Sequence, residues 1–117
     1  MRSDRERLLD VQQAIERVER HTQSSRRPIE RDMLLQDAVL RNLQIIGEAV
    51  RSLSAELKDA HPEVPWSEIV GMRHVLVHGY FDIDLAVVNE VIEHGLPDLK
   101  RRVAAILEEL GAEAAGG

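Results

Sequence analysis

The sequence predicts an all-α fold, an antiparallel bundle of four to five helices with the last one kinked or split near Pro97. Three observations predict it. Apolar residues recur at spacings of three and four over most of the chain, the period of helices that bury one face. No stretch reads as a strand. Aromatic residues make up only 3% of the chain, with Trp66, Tyr80 and Phe81 the whole supply, so the core must rest on Leu, Ile, Val and Ala. At 117 residues the chain is one domain, long enough to bury a core; the domain spans 1–110, and 111–117 forms a flexible C-terminal tail.

Residues 4–20 form the first helix, capped by Ser3 or Asp4, with Leu8, Val11, Ile15 and Val18 on its inner face. The polar run from Thr22 to Pro28 is a loop, and its Arg26 and Arg27 read as solvated charges. A long helix follows, from Ile29 or Arg31 to Leu53. Val39, Leu43, Ile46, Val50, Leu53 and Leu57 step by threes and fours, and a second row of Leu34, Ala38, Ile45 and Ala49 widens the apolar face. Gly47 in its middle costs about 1 kcal/mol relative to alanine, which suits close approach of another helix.

Residues 54–60 make a short helical turn that ends before Pro62, and His61 reads as a surface histidine beside a loop. Pro65 opens a third helix, which runs to about His78 and stops at Gly79. Residues 80–84 connect it to a fourth helix, capped by Asp82 or Asp84 and packed through Leu85, Val88, Val91 and Ile92. His94-Gly95-Leu96-Pro97 interrupts this pattern, since a proline within a helix removes a backbone donor. Leu99, Val103, Ile106, Leu107 and Leu110 carry it on to Gly111, with Lys100-Arg101-Arg102 on a solvated face.

Net charge is −6, which argues against a broad surface for coating nucleic acid. The distribution is uneven: residues 1–31 hold eight arginines against six acids, and residues 32–117 seven basic against fifteen acidic residues. With no cysteine there is no disulfide framework and no thiolate nucleophile, in keeping with a cytoplasmic protein. No apolar run approaches the roughly 18 residues of a membrane span.

One stretch carries chemistry. Arg73, His74, His78 and Tyr80 fall within eight positions of an otherwise apolar run. Histidine is suited to proton transfer near neutral pH, and arginine to stabilising charge on a phosphoryl oxygen. Together they suit metal-independent RNA cleavage, in which the ribose 2′-hydroxyl attacks the adjacent phosphate. The same residues also fit a buried helix with satisfied polar groups. Arg73 and His78 are five positions apart, about 140° around an ideal helix, so one straight helix does not aim both at the same atom. Either the helix ends near His78, or a second copy supplies the same cluster across a two-fold axis. His74 and His78 have the spacing of metal ligands on one helical face, but no third ligand can be named, so neither metal nor cofactor is assigned.

Arg73-His74-Val75-Leu76-Val77-His78-Gly79-Tyr80 resembles the Arg-x4-His-x-Tyr motif of HEPN domains. The flanks Pro65 to Met72 and Phe81 to Asp84, and Leu43 to Ala49 on the long helix, are similar to the HepT-like branch; the resemblance covers Leu35 to Arg102. It implies a helical homodimer with the motif at the interface and a metal-independent endoribonuclease toxin acting on RNA. It also implies a partner, an MNT-type minimal nucleotidyltransferase antitoxin that AMPylates the motif tyrosine. Arg73 then stabilises the phosphate, His78 is the catalytic histidine and Tyr80 the modified hydroxyl. His74 stands where the family usually has Asn or Asp, and could orient, serve as a second acid/base or do neither. Asn89 stands where the family often has tryptophan. A second function also fits: a non-catalytic dimer that binds a nucleotidyltransferase and positions its nucleotide or substrate.

Overall fold

The computed structural model describes the backbone of residues 2–78 and 82–116, and the side chains of residues 2–72 and 84–112. It is an all-α bundle of five helical runs, the last of them interrupted. Helix α1 spans Asp4–Ser24, α2 Met33–Arg51, α3 Ala55–Ala60 and α4 Trp66–Leu76; α5 (Leu85–Glu90) continues through a π-helical turn (Val91–Gly95) into α6 (Leu96–Gly116). The bundle is elongated, 50 × 27 × 26 Å, and its longest element is the continuous run from Leu85 to Gly116, about 48 Å at the helical rise. No helix among the described residues is long and apolar enough to cross a membrane.

Helix α1 begins with a reciprocal cap. Ser3 Oγ accepts from the Glu6 amide at 3.1 Å, and the Glu6 carboxylate accepts from the Ser3 amide at 3.2 Å. Asp4, the other candidate cap, instead accepts from Ser54 N at 2.9 Å and Ser54 Oγ at 2.6 Å, tying the start of α1 to the start of α3. All four expected inner residues of α1 are buried.

The long helix starts later than its apolar pattern suggests. Residues 29–31 form a 3-10 turn, and Asp32 then caps α2, its Oδ1 accepting from Leu35 N at 3.0 Å. The main stripe from Val39 to Leu57 is buried as expected. Leu34 is not: it is 82% exposed beside an open Met33, because its neighbour Leu35 takes the core-facing side of the first turn of α2. Close approach at Gly47 is confirmed, and the approaching element is α4. A Cβ on Gly47 would lie 3.7 Å from the Val70 carbonyl oxygen and 3.8 Å from that of Ile69.

Helix α4 is anchored at its start by Trp66, whose Nε1 donates to the His61 carbonyl at 2.9 Å. Its end differs from the sequence reading. The helix stops at Leu76, and Val77–His78 pairs antiparallel with Asp82–Ile83. β-Branched Val77 and Ile83 face each other in this register, and such residues favour extended backbone.

The interruption near Pro97 takes the form of the π turn. Pro97 has no N–H to offer the carbonyl four residues back, and the wider turn takes up the mismatch: Leu96 N donates to Val91 O, five residues back. Helix α6 runs through the expected stop at Gly111 and ends at Gly116. Its basic run is paired rather than merely solvated. Lys100 Nζ lies 2.8 Å from Glu19, and Arg101 and Arg102 both reach Asp98. His61 is likewise no lone surface histidine. Its side chain is 15% exposed and sits between Glu63 at 3.3 Å and Glu109 at 3.2 Å.

Candidate active site

The chemistry-bearing stretch hangs on the far end of α4. Packing of Ile69, Val70 and Met72 against the core fixes the rotation of that helix. Arg73 and His74 follow at once in its last turns, and His78 comes after the helix has ended, in the first strand of the short pair. The structure therefore brings the backbone of Arg73, His74 and His78 to one helix-to-strand junction. The side chains of these three residues, and Tyr80 altogether, lie outside the described residues.

The return strand leads directly into Asp84, whose Oδ1 caps α5 by accepting from Val87 N at 3.2 Å. Of the two candidate caps, Asp84 thus takes the role and Asp82 lies in the pair. Asn89, further along α5, donates to Glu30 at 2.8 Å and links this helix to the 3-10 turn before α2. The elements on either side of the motif are therefore pinned, α4 by the Gly47 crossing and α5 by the Asp84 cap.

Two clefts flank α4. One, about 460 Å³, lies between α4 and the α5–α6 run; Gly71 and Met72, the residues just before Arg73, form part of its wall, with Val87, Val91 and Leu99 opposite. The other, about 110 Å³, lies between α4 and α2 and is lined by Gln44, Gly47 and Glu48 against Ile69 and Val70. Arg102 closes the far end of the larger cleft. Its Nε donates to Asp98 at 2.9 Å and its Nη1 to the Glu63 carbonyl at 3.0 Å. The Arg102 hydrogen bond holds the Asp98 carboxyl below its usual range.

Sequence reasoning missed one buried polar group. Asn42, on α2, is 4% exposed; its Nδ2 donates to the Ala38 carbonyl at 2.8 Å, while its Oδ1 has no partner. An asparagine within an apolar stripe was the signal. Among the described residues, no group of three or more His, Asp or Glu is arranged to hold a metal ion.

The family model described as Ribonuclease HepT-like matches residues 11–106, which includes the whole Arg73-to-Tyr80 stretch. A probable ribonuclease HepT from Thermococcus cleftensis is 38% identical over 100 residues, covering 85% of this chain and 91% of that protein. A candidate RNase from Caldanaerobacter subterraneus subsp. tengcongensis is 42% identical over 79 residues, covering 68% of this chain and 70% of the relative. A Methanocaldococcus jannaschii protein named as a gamma-glutamylcyclotransferase and candidate RNase is also 42% identical, over 76 residues; the match spans 65% of this chain but only 34% of that longer protein. No solved structure matches the chain.

Proposed function

The chain belongs to the HepT-like ribonuclease family, and from that premise we propose that it is a metal-independent endoribonuclease, the toxin of a toxin–antitoxin pair acting in the cytoplasm. The observation that carries the reading is the Arg73-x4-His78-x-Tyr80 motif at the end of α4, within the matched residues. His78 takes the proton of a ribose 2′-hydroxyl, whose oxygen attacks the adjacent phosphorus. The 5′-oxygen leaves with a proton taken from a second acid, supplied by the cluster of the other copy, giving a 2′,3′-cyclic phosphate and a 5′-hydroxyl end. Arg73 neutralises the charge that builds on the non-bridging oxygens. DNA lacks the nucleophile and is spared.

In this reading the working unit is a homodimer whose two clusters share one cleft, since RNA cleavage asks for more than one proton-handling group. An MNT-type nucleotidyltransferase is the antitoxin, and AMP transferred to the Tyr80 hydroxyl blocks phosphate binding by charge and bulk. His74, the position after Arg73, is a supporting residue of the motif. The net charge of −6 favours a second reading, a non-catalytic dimer that presents nucleotide or substrate to such a partner.

The test is purified protein incubated with total RNA in EDTA. Cleavage that disappears in His78→Ala supports the enzyme. Intact RNA, with His78→Ala and wild type indistinguishable, supports the non-catalytic dimer instead. Intact-mass measurement after co-expression with the partner tests the modification: added AMP should vanish in Tyr80→Phe.

A further inference from the structure

The acidic chain concentrates its arginines in its first third, and part of that charge lines a groove. Between the N-terminal half of α1 and the middle of α2 runs an open channel of about 540 Å³, walled by Arg2, Arg7 and Asp10 on one side and by Arg41, Gln44 and Glu48 on the other. Three arginines face two carboxylates there, against the sign of the whole molecule.

The pairing within the groove matters more than the count. Arg2 is taken up by Asp10, at 2.6 Å. Glu48 lies 3.9 Å from Arg51, outside the channel wall. Arg7 hydrogen-bonds the Arg2 carbonyl, at 3.4 Å, and Glu6 acts on it through charge alone; neither Arg7 nor Arg41 holds an ion pair among the described residues. Two guanidinium groups thus line the groove without a carboxylate at ion-pair distance among the described residues, the arrangement that suits phosphate oxygens.

The groove also leads somewhere. Gln44 and Glu48 belong both to its wall and to the small cleft where α2 meets α4. Ile69 and Val70 close that cleft on the α4 side, and Arg73 follows Val70 by three positions, one turn further along the same helix. The two clefts thus share part of a wall, and the backbone of Arg73 stands one helical turn beyond the second of them.

We infer that this channel is the track along which a single RNA strand reaches the cluster, with Arg7 and Arg41 each neutralising a backbone phosphate. The inference rests on the ribonuclease reading and adds to it a substrate-binding surface outside the motif. Contacts of this kind position a strand without reading its sequence.

The test uses fluorescence anisotropy with a labelled 2′-O-methyl RNA oligonucleotide, which binds but has no free 2′-hydroxyl to attack. In the double variant Arg7→Gln/Arg41→Gln, Kd should rise roughly tenfold, and the slope of log K against log salt should fall by about 1.4, two phosphates' worth for a single strand. Arg7→Lys/Arg41→Lys, which keeps the charge, should restore most of the slope. Arg17→Gln/Arg20→Gln on the exposed remainder of α1 removes the same charge and should change Kd little. Thermal melts confirm that each variant is folded. Unchanged affinity and slope in the groove variant, or equal weakening by the Arg17/Arg20 pair, overturns the inference. Cleavage of unmodified RNA separates the two claims. Active wild type with a groove variant that binds equally well sinks the track alone. Inactive wild type that still binds through Arg7 and Arg41 sinks the ribonuclease and leaves the track.

Discussion

His78 lies opposite Asp82 in an antiparallel register, one step along from the Val77–Ile83 pair. The chain that leaves α4 at Leu76 therefore doubles back at once, and Arg73 and His78 are separated by a helix end rather than by a helical turn. Their backbones therefore do not lie on one straight helix, where the two residues would stand about 140° apart. Of the two ways to bring these residues to one substrate, a helix ending before His78 is present in the single chain. A second copy across a two-fold axis remains part of the proposed working unit.

Removal of the proton-handling and charge-stabilising groups should act on rate and leave the fold alone. His78→Ala should lower the cleavage rate by about 10²–10⁴, the usual contribution of a positioned acid or base. Arg73→Lys keeps the charge but loses the planar two-pronged geometry, so a fall of about 10²–10³ is expected. Single-turnover cleavage of a labelled RNA, with melting curves run alongside, checks both. Near-wild-type rates in either variant would remove that residue from the chemistry.

The Gly47 crossing predicts opposite outcomes for two substitutions. The nearest α4 atoms would stand 3.7 and 3.8 Å from an added Cβ, ordinary contact distances. Gly47→Ala should therefore fit, and should stabilise α2 by up to about 1 kcal/mol through helix propensity. Gly47→Leu must push α4 off α2, at a cost of about 1–3 kcal/mol, and should displace the motif with it. Urea unfolding of the two variants measures this. If Leu is tolerated as well as Ala, the crossing is looser than its geometry indicates.

The same crossing shows how far the sequence could be read. The stripe Val39, Leu43, Ile46, Val50 and Leu53 gave α2 its inner face, because burial of one helical face is written in the period of its apolar residues. Leu34 shared the period but not the burial: Leu35 takes the core-facing side of that turn, and spacing alone does not say which of two adjacent leucines turns inward. The helix end at Leu76 was hidden for a related reason. Gly79 is a visible stop signal, whereas the two residues before it pair with a strand whose own identity depends on the return of the chain. His61 was read as a surface histidine because Glu109, one of its two partners, is 48 positions away in sequence. Arg73, His78 and Tyr80 could be picked out from residue chemistry and motif spacing alone; the arginine groove could not, since it needs α1 and α2 side by side.

Asn42 offers a stability test of a buried polar atom. Its Oδ1 is enclosed without a partner, and an orphaned acceptor costs about 1–3 kcal/mol. Asn42→Leu keeps the branch at Cγ and removes both polar atoms, so it should stabilise the chain by about 1 kcal/mol or more. Chemical denaturation of the two proteins decides it. Destabilisation would mean that Oδ1 has a partner in solution, such as an ordered water.

Acid should loosen the bundle in a defined order of causes. Asp98 is held below the usual carboxylate range chiefly by its hydrogen bond from Arg102, and Asp32 by that from Ser25 Oγ and then by the Leu35 amide it caps. Lys100 is shifted the other way, upward, first by its hydrogen bond to Glu19. A carboxyl with a depressed folded pKa contributes stability that is complete above its unfolded value, about 3.9 for aspartate, and is lost as pH falls through the folded value. A lysine with a raised folded pKa contributes fully below its unfolded value, about 10.4, and loses that contribution as pH rises through the folded one. These groups should therefore leave stability flat from about pH 5 to pH 10, with a shallow loss on either side. All three are only half-buried, so both losses should shrink further in high salt. Melting temperature followed against pH in wild type and Asp98→Asn isolates the clamp. The variant should start lower near neutral pH and meet the wild-type curve only once pH has fallen through the depressed folded value of Asp98, where the wild-type carboxyl is itself protonated. Parallel curves down to that pH would show that Asp98 and Arg102 contribute nothing measurable to the folded state.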